Sequence, residues 1–290
     1  MPENTSSLIL TDLDGTLLDH FTYSHQEAQA MIVQLTQDHI PIIINTSKTF
    51  AEVVEIQATL NIKAPFIIEN GAAVLLPKSL FKHAPAGCKS YENYWLKPFS
   101  QPRQVWIDLL ADKGKPFAEQ FQGFSQLTNK TIANLTGLSL EKADKANQRL
   151  FNEPVLWHDD QEKAQVFIDA MKASGANVLK GGRFIHIGDY TDKGNALNWL
   201  ANLYQKLSGK PVTTIALGDG ENDTAMLEAA DIAVQVRSPV HPFPTLTNAN
   251  FIYRSQAFGP KGWSQALAFL YPTLSKLAVE QNTIEETQYG

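Results

Sequence analysis

Apolar residues in this chain fall into two kinds of run, and the two kinds alternate. Short runs at 8–10, 42–44, 66–68, 213–217 and 232–236 are apolar apart from Thr213, Thr214 and Gln235 and contain many β-branched residues. Runs of that length and composition predict strands buried on both faces. Between them the apolar positions recur at helical spacing. The stretch 24–38 carries Ala28, Met31, Ile32 and Leu35 on one stripe, with Ser24 as an N-cap and Glu27 three residues on. Further helices are predicted at 49–60, 193–206, 224–230 and 262–270. Strand and helix in alternation, joined by short connections, predict an α/β fold with a parallel sheet between two helical layers. Ligands bind such sheets beyond the carboxyl ends of the strands. Asp12, Asp14, Thr46, Ser47, Asn70 and Asp219 all fall at those ends.

The alternation is interrupted from about residue 81 to 187. Tyr, Trp, Pro and Lys dominate as far as Phe124, and short amphipathic helices follow at 128–135 and 140–150. A strand at 155–158, a helix at 162–173 and two short strands joined by Gly181-Gly182 complete the segment, the last pair reading as a hairpin. This is read as an inserted α+β domain at 81–187, leaving 1–80 and 188–290 to form the core domain. No repeats or low-complexity stretches occur.

Composition narrows the function classes. The chain has 290 residues, 43% of them hydrophobic and 19% charged, as in an ordinary globular protein. A net charge of −6 with no basic run argues against a nucleic-acid partner. Any anion site must therefore be locally positive, through a metal, a lysine or helix N-termini. The single cysteine, Cys88, excludes an internal disulfide and a cysteine-built metal site. Its surroundings, Ala86-Gly87-Cys88-Lys89, offer no partner for a thiol nucleophile. The first residues are polar, without the basic start and apolar core of a signal peptide, and no apolar run could cross a bilayer. The expectation is a cytoplasmic protein with no membrane partner.

Candidate chemistry begins at Asp12-Leu13-Asp14-Gly15-Thr16. At period two, both carboxylates project from the same side of an extended chain. Their mutual repulsion calls for a cation, and Mg²⁺ prefers hard oxygen ligands. One carboxylate can serve as nucleophile and the other as acid/base; an Asp-Gly turn after a buried strand is the plainer alternative. A calcium loop is excluded by Thr16 at its third ligand position and Tyr23 in place of its bidentate glutamate. Gly218-Asp219-Gly220-Glu221-Asn222-Asp223 is a second acidic cluster after an apolar strand. Its glycines let Asp219 and Asp223 face one point, and metal ligation competes there with a solvated helix start. Thr46-Ser47-Lys48, between a strand and a helix, is either a phosphate seat or an ordinary N-cap. Lys193 opens a helix, where a cation opposes the dipole, which suggests a specific task.

Asp12-Leu13-Asp14-Gly15-Thr16, the Thr46 or Ser47 hydroxyl, Lys193 and the Gly218–Asp223 cluster resemble the four ordered motifs of the haloacid dehalogenase-like hydrolases. The insert between the second and third motifs resembles the type-two cap of the sugar-phosphatase branch, over a three-layer Rossmann-like core. Asn45-Thr46-Ser47-Lys48-Thr49, Glu69-Asn70-Gly71, Gly181-Gly182-Arg183-Phe184-Ile185-His186, Asp192-Lys193-Gly194 and Gly259-Pro260-Lys261-Gly262-Trp263 resemble the mannosyl-3-phosphoglycerate phosphatases. The resemblance implies a Mg²⁺-dependent phosphomonoesterase whose partner is a small phosphorylated sugar. It implies that Asp12 attacks phosphorus to form an aspartyl-phosphate and that Asp14 protonates the leaving alcohol and then activates water. It further implies that Asp12, the Asp14 carbonyl and Asp219 hold Mg²⁺ with Asp223 in support. Thr46 or Ser47 would bind the phosphoryl oxygens and Lys193 would neutralise charge. Gly181, Gly182, Arg183 and His186 are candidates for gripping the glycerate or the sugar, an exposed hairpin arginine being the alternative for Arg183. Lys48, Asn70, Gly71 and Asn222 complete the substrate-binding candidates. The glucosyl epimer, a phosphomutase reaction and a non-catalytic sugar-phosphate sensor are the rival readings.

Overall fold

The computed structural model describes residues 5–180 and 183–288. The chain runs β1 (Ser7–Thr11), α1 (Gln29–Gln37), β2 (Ile42–Asn45), α2 (Phe50–Leu60), β3 (Phe66–Ile68), β4 (Ala73–Pro77), β5 (Lys89–Tyr91) and β6 (Tyr94–Pro98). It continues through α3 (Arg103–Lys113), β7 (Phe121–Gly123), α4 (Asn129–Thr136), α5 (Leu140–Asn147), β8 (Glu153–Trp157), α6 (Gln161–Ala173), β9 (Asn177–Lys180) and β10 (Phe184–Gly188). It closes with α7 (Lys193–Ser208), β11 (Thr213–Gly218), α8 (Thr224–Ala229), β12 (Ile232–Arg237), β13 (Ile252–Phe258) and α9 (Gly259–Gln288). Two compact units result. One comprises Met1–Thr46, Gln57–Lys97 and Asp192–Gly290; the other comprises Ser47–Ile56 and Pro98–Thr191.

The first unit is built on a nine-stranded sheet in the order β13-β12-β11-β1-β2-β3-β4-β6-β5. From β13 to β3 every neighbouring pair is parallel. Each residue of β1, β2 and β3 is buried, which is why those segments read as continuous apolar runs. α1 packs with α9 and α7 packs with α8, so the strands gain helical cover from two separate pairs. Beyond β3 the sheet turns antiparallel, through β4 paired to β3 and β5 paired to β6. The β5–β6 hairpin thus extends the large sheet, whereas the sequence assigns residues 81–97 to the insert. Its rich Tyr and Trp content suits a sheet edge as well as a separate core.

The second unit carries a four-stranded antiparallel sheet, β7-β8-β10-β9. α3 and α6 pack on it around Trp106, Phe121, Phe167 and Ile185. α4 and α5 form a smaller satellite core with Phe124, Ile132 and Ala143. Both helices are capped by a hydroxyl: those of Thr128 and Ser139 accept from Thr131 N and Lys142 N. Inside this unit Glu153 is fully buried, and three groups bond it. Arg103 Nε donates to it at 2.5 Å, Ser125 N at 2.8 Å and the Ser125 hydroxyl at 2.7 Å.

Candidate active site

β1 and β11 are parallel neighbours in the register Thr11↔Leu217. That register sets Asp12 and Asp219, distant in the chain, side by side beyond the carboxyl ends of the central strands. Asp12 N donates to Leu217 O at 2.9 Å, continuing the ladder by one residue. The turn after Asp12 needs a glycine on two counts. Gly15 has φ +82°, and a Cβ there would stand 2.5 Å from Asp219 Oδ2. The Thr16 hydroxyl, one residue on, donates to Asp219 Oδ1 at 2.9 Å.

Lys193, the first residue of α7, is fully buried. Its ammonium lies 2.6 Å from Asp12 Oδ1 and 2.6 Å from Asp223 Oδ1. Those two carboxylates outweigh the unfavourable helix dipole and account for a cation at a helix start. The N-cap role falls to Asp192, which accepts from Asn195 N at 2.7 Å. Asn45, at the end of β2, donates to Lys193 O at 3.0 Å and ties the helix start to the sheet. Asp223 is the most fully engaged of the acids. Its Oδ2 accepts from Asp219 N at 3.1 Å and Gly220 N at 3.0 Å, so it shapes the acidic turn while holding Lys193.

Asp12, Asp219 and Asp223 each offer a carboxylate oxygen within 4.8 Å of the others, and all three are buried. An all-oxygen, anionic donor set fits a hard divalent cation such as Mg²⁺. Without that charge the acids outnumber the one lysine between them. Burial accordingly pushes the Asp12 carboxyl up to about 7, against the pull of Lys193 and with a further push from Asp223. Asp219 is raised by burial and by Asp223, opposed by the Thr16 hydroxyl and by His241. Burial works against the Lys193 charge, yet Asp12 and Asp223 hold its pKa above the ordinary lysine range.

The other sequence candidates are placed as follows. Asp14 follows in the turn that Gly15 N closes onto Leu18 O at 2.9 Å. Thr46 is buried, with its N–H on Ile67 O at 3.1 Å and its carbonyl accepting from Asn70 N at 2.9 Å. Glu69, Asn70 and Gly71 are three consecutive left-handed residues, with φ of 49°, 58° and 90°. The last must be glycine, since a Cβ would meet Asp192 O at 2.0 Å. Asn222 is exposed on a single helical turn, Glu221–Asp223.

In the second unit, Ser47 is exposed and its carbonyl accepts from Arg149 Nη2 at 2.9 Å, and Lys48 is half-buried. The capping box of α2 is made by Thr49 and Glu52, one turn beyond Thr46. Arg183 is exposed and donates to Leu135 O at the end of α4. His186 is half-buried on β10, and burial with the nearby Arg149 charge lowers its pKa to about 4. Gly181 and Gly182 lie outside the described residues.

The sequence assigns no role to four residues at the site, although Thr16, Asn45 and Trp263 stand within its motifs. Thr16 and Asn45 are ordinary hydroxyl and amide positions until the fold brings Asp219 and Lys193 to them. Trp263 Nε1 donates to Thr11 Oγ1 at 3.1 Å, behind Asp12. His241 sits in a proline-rich loop after β12, its Nε2 3.3 Å from Asp219 Oδ2.

Residues 9–242 match the family described as haloacid dehalogenase-like hydrolase. A glucosyl-3-phosphoglycerate/mannosyl-3-phosphoglycerate phosphatase from Methanococcoides burtonii is 35% identical over 260 residues, spanning 90% of this chain and 95% of its own. A protein of the same name from Persephonella marina is 34% identical over 264 residues, with the same coverage. Two solved structures from Bacteroides thetaiotaomicron share the fold. One, from a study of phosphatases of the haloalkanoate superfamily, has a TM-score of 0.63 at 20% identity, covering 92% of this chain and 95% of its own. The other, a haloacid dehalogenase-like hydrolase, has a TM-score of 0.64 at 16% identity, covering 92% and 100%. With the matched model spanning most of the chain and both curated relatives aligned along nearly their whole length, this chain belongs to the haloacid dehalogenase-like hydrolase family, as an enzyme of the phosphatase kind.

Proposed function

We propose that the enzyme hydrolyses the phosphomonoester of mannosyl-3-phosphoglycerate, with the glucosyl epimer as a second substrate, and that it depends on Mg²⁺. The observation that carries the reading is the Lys193 ammonium held 2.6 Å from Asp12, with Asp219 brought beside Asp12 by strand register. Asp12 attacks phosphorus in line. The bond to the oxygen of the leaving glycerate alcohol breaks, Asp14 delivers a proton to that oxygen, and an aspartyl-phosphate remains. Asp14 then takes a proton from water, whose oxygen displaces Asp12 and releases phosphate. Lys193 balances charge between Asp12 and the phosphoryl group, and the Thr46 and Ser47 hydroxyls bind phosphoryl oxygens. Phosphoryl transfer needs little beyond positioning and positive charge at the equatorial oxygens.

Asp12, the Asp14 carbonyl and Asp219 would hold Mg²⁺, with Asp223 in support through the turn that it organises. When bound, the ion supplies positive charge to the phosphoryl oxygens. The glycosyl-phosphoglycerate class is supported by the printed names of the two curated relatives. Cap residues of the second unit, Arg183 and His186 with Gly181 and Gly182, would choose the substrate. Lys48, Asn70, Gly71 and Asn222 would contact it at the strand ends. Phosphate release from a panel of sugar phosphates and phosphoglycerates, with and without Mg²⁺, tests the reading. Metal-dependent release led by the two glycosyl-phosphoglycerates is expected; release led by another ester would overturn the substrate, and no release at all would overturn the activity.

A further inference from the structure

The phosphatase chemistry gives no task to Gly259-Pro260-Lys261-Gly262-Trp263. These residues open α9, which packs on β13 and β1. Two glycines let that opening approach its neighbours closely. A Cβ on Gly259 would stand 3.7 Å from Gly15 O, so α9 starts against the turn that follows Asp12. A Cβ on Gly262 would fall 2.2 Å from Ala257 O, a separation that only glycine permits. Ala257 lies in β13, so the first turn of α9 is seated directly on the sheet. Trp263 is thereby fully buried behind β1.

Thr11 meets it there. This residue ends β1 after Leu8-Ile9-Leu10 and is also fully buried. A hydroxyl in such a place is costly unless it is bonded. The Thr11 hydroxyl makes two bonds with its single hydrogen. Trp263 Nε1 donates to Thr11 Oγ1 at 3.1 Å, and Thr11 Oγ1 donates to Asp12 O at 2.7 Å. An indole N–H only donates, so the chain runs one way, from indole to hydroxyl to the Asp12 carbonyl. On the other side, Asp12 N donates to Leu217 O at 2.9 Å. Both backbone polar groups of Asp12 are therefore taken, one by β11 and one by the relay from α9. Asp12 stands one residue past the end of β1 and shortly before the sharp turn at Gly15. The relay thus fixes the backbone at the point where the chain leaves the sheet, and Lys193, 2.6 Å from Asp12 Oδ1, then orients the side chain.

We propose that Trp263 and Thr11 are positioning residues of the phosphatase reaction: the indole N–H, acting through the Thr11 hydroxyl, fixes the Asp12 peptide and with it the line along which the Asp12 carboxylate meets phosphorus. Both side chains are fully buried, so they act through Asp12 and not on substrate. The proposal rests on the reading of Asp12 as the nucleophile and adds the device that aims it. In-line attack tolerates little error, since a misplacement of about 1 Å costs about 100-fold in rate. Aim is used in the transition state and not in binding, so its loss falls on kcat and spares KM.

The test measures kcat and KM with Mg²⁺ on mannosyl-3-phosphoglycerate, or on p-nitrophenyl phosphate where that ester is not released. Thr11→Val keeps the side-chain shape and removes the hydroxyl; kcat should fall about 10- to 100-fold with KM within about threefold. Thr11→Ser restores the hydroxyl and should bring kcat back to within about threefold of wild type. Trp263→Phe removes the indole donor and leaves the hydroxyl, so kcat should fall by a smaller factor, about 3- to 10-fold. Because the indole acts through the hydroxyl, the double variant should be no slower than Thr11→Val alone. Wild-type kcat in Thr11→Val, failure of Thr11→Ser to rescue, or losses that multiply in the double variant would overturn the relay and leave Trp263 to packing. The bond itself is read without turnover. In ¹⁵N-labelled protein the Trp263 indole N–H resonance, assigned by its absence in Trp263→Phe, should move upfield in Thr11→Val; an unmoved resonance would also overturn the relay. Asp12→Asn keeps the two readings apart: normal turnover there removes the nucleophile, whereas an inactive Asp12→Asn beside a fully active Thr11→Val removes the relay alone.

Discussion

Each compact unit buries a carboxylate against a cation, and the two pairs are built to opposite ends. In the second unit Glu153 meets Arg103, and both Ser125 donors complete its shell. Arg103 spends its remaining donors on the Asn147 carbonyl and side chain, at 2.7 and 3.1 Å. Charge is balanced one to one and the protein itself supplies the partners. In the first unit one ammonium, that of Lys193, faces Asp12 and Asp223 while Asp219 stands within reach of both. Negative charge is in excess, and the Asp12 carboxyl, raised chiefly by its burial, is pushed up further by Asp223 and Asp14. A balanced buried pair is scaffold; an unbalanced one has affinity left for a ligand of positive charge, which a divalent metal ion fits.

The contrast can be broken at either pair. Asp12→Asn removes the proposed nucleophile and should cut phosphate release at least about 1000-fold, while circular dichroism stays that of the wild type. Normal turnover in that variant would remove Asp12 from its role. Stripping divalent ions with a chelator should lower release at least about 100-fold, with recovery on adding Mg²⁺. A metal-independent rate would show that the excess charge at the site serves some other end. Glu153→Gln, in contrast, should act on stability, lowering it by about 3 kcal/mol because Arg103 loses its buried counter-charge. A urea midpoint close to wild type would show that the balanced pair is not structural.

Two smaller effects sharpen the picture of the second unit. His186 is held neutral, with its pKa lowered from 6.5 to about 4 by burial and by Arg149. The unfolded chain takes up a proton there that the folded protein refuses. Stability should therefore fall as pH drops from about 6.5 to about 4, by at most about 3 kcal/mol. His186→Leu should flatten that slope in denaturation curves taken across the window; an unchanged slope would assign it to other groups. Arg183→Ala should raise KM by about 3- to 10-fold with kcat little altered, as expected for a charged contact with substrate. Unchanged KM for the best substrate would leave Arg183 only its bond to the Leu135 carbonyl.

Much of this molecule was already determined along the chain. Buried strands at β1, β2, β3 and β11 follow from short runs of apolar and β-branched residues, because a strand covered on both faces has no polar side to show. The four motif positions were legible as well, since each sits at a strand end or a helix start and its spacing is local. The misplaced charge of Lys193 was visible for the same reason: a helix dipole acts over one turn. What tertiary structure alone decided depends on contacts between distant segments. The β5–β6 hairpin joined the large sheet because β4 offered an open edge, which no periodicity records. The N-cap of α2 moved to Thr49, where Glu52 could complete a capping box. Thr16 and His241 became partners of Asp219 only when strand register laid β1, β11 and β12 side by side. Local physics sets which segments are strands and where chemistry can sit; the number and kind of groups that converge on one ion is set by packing across the chain.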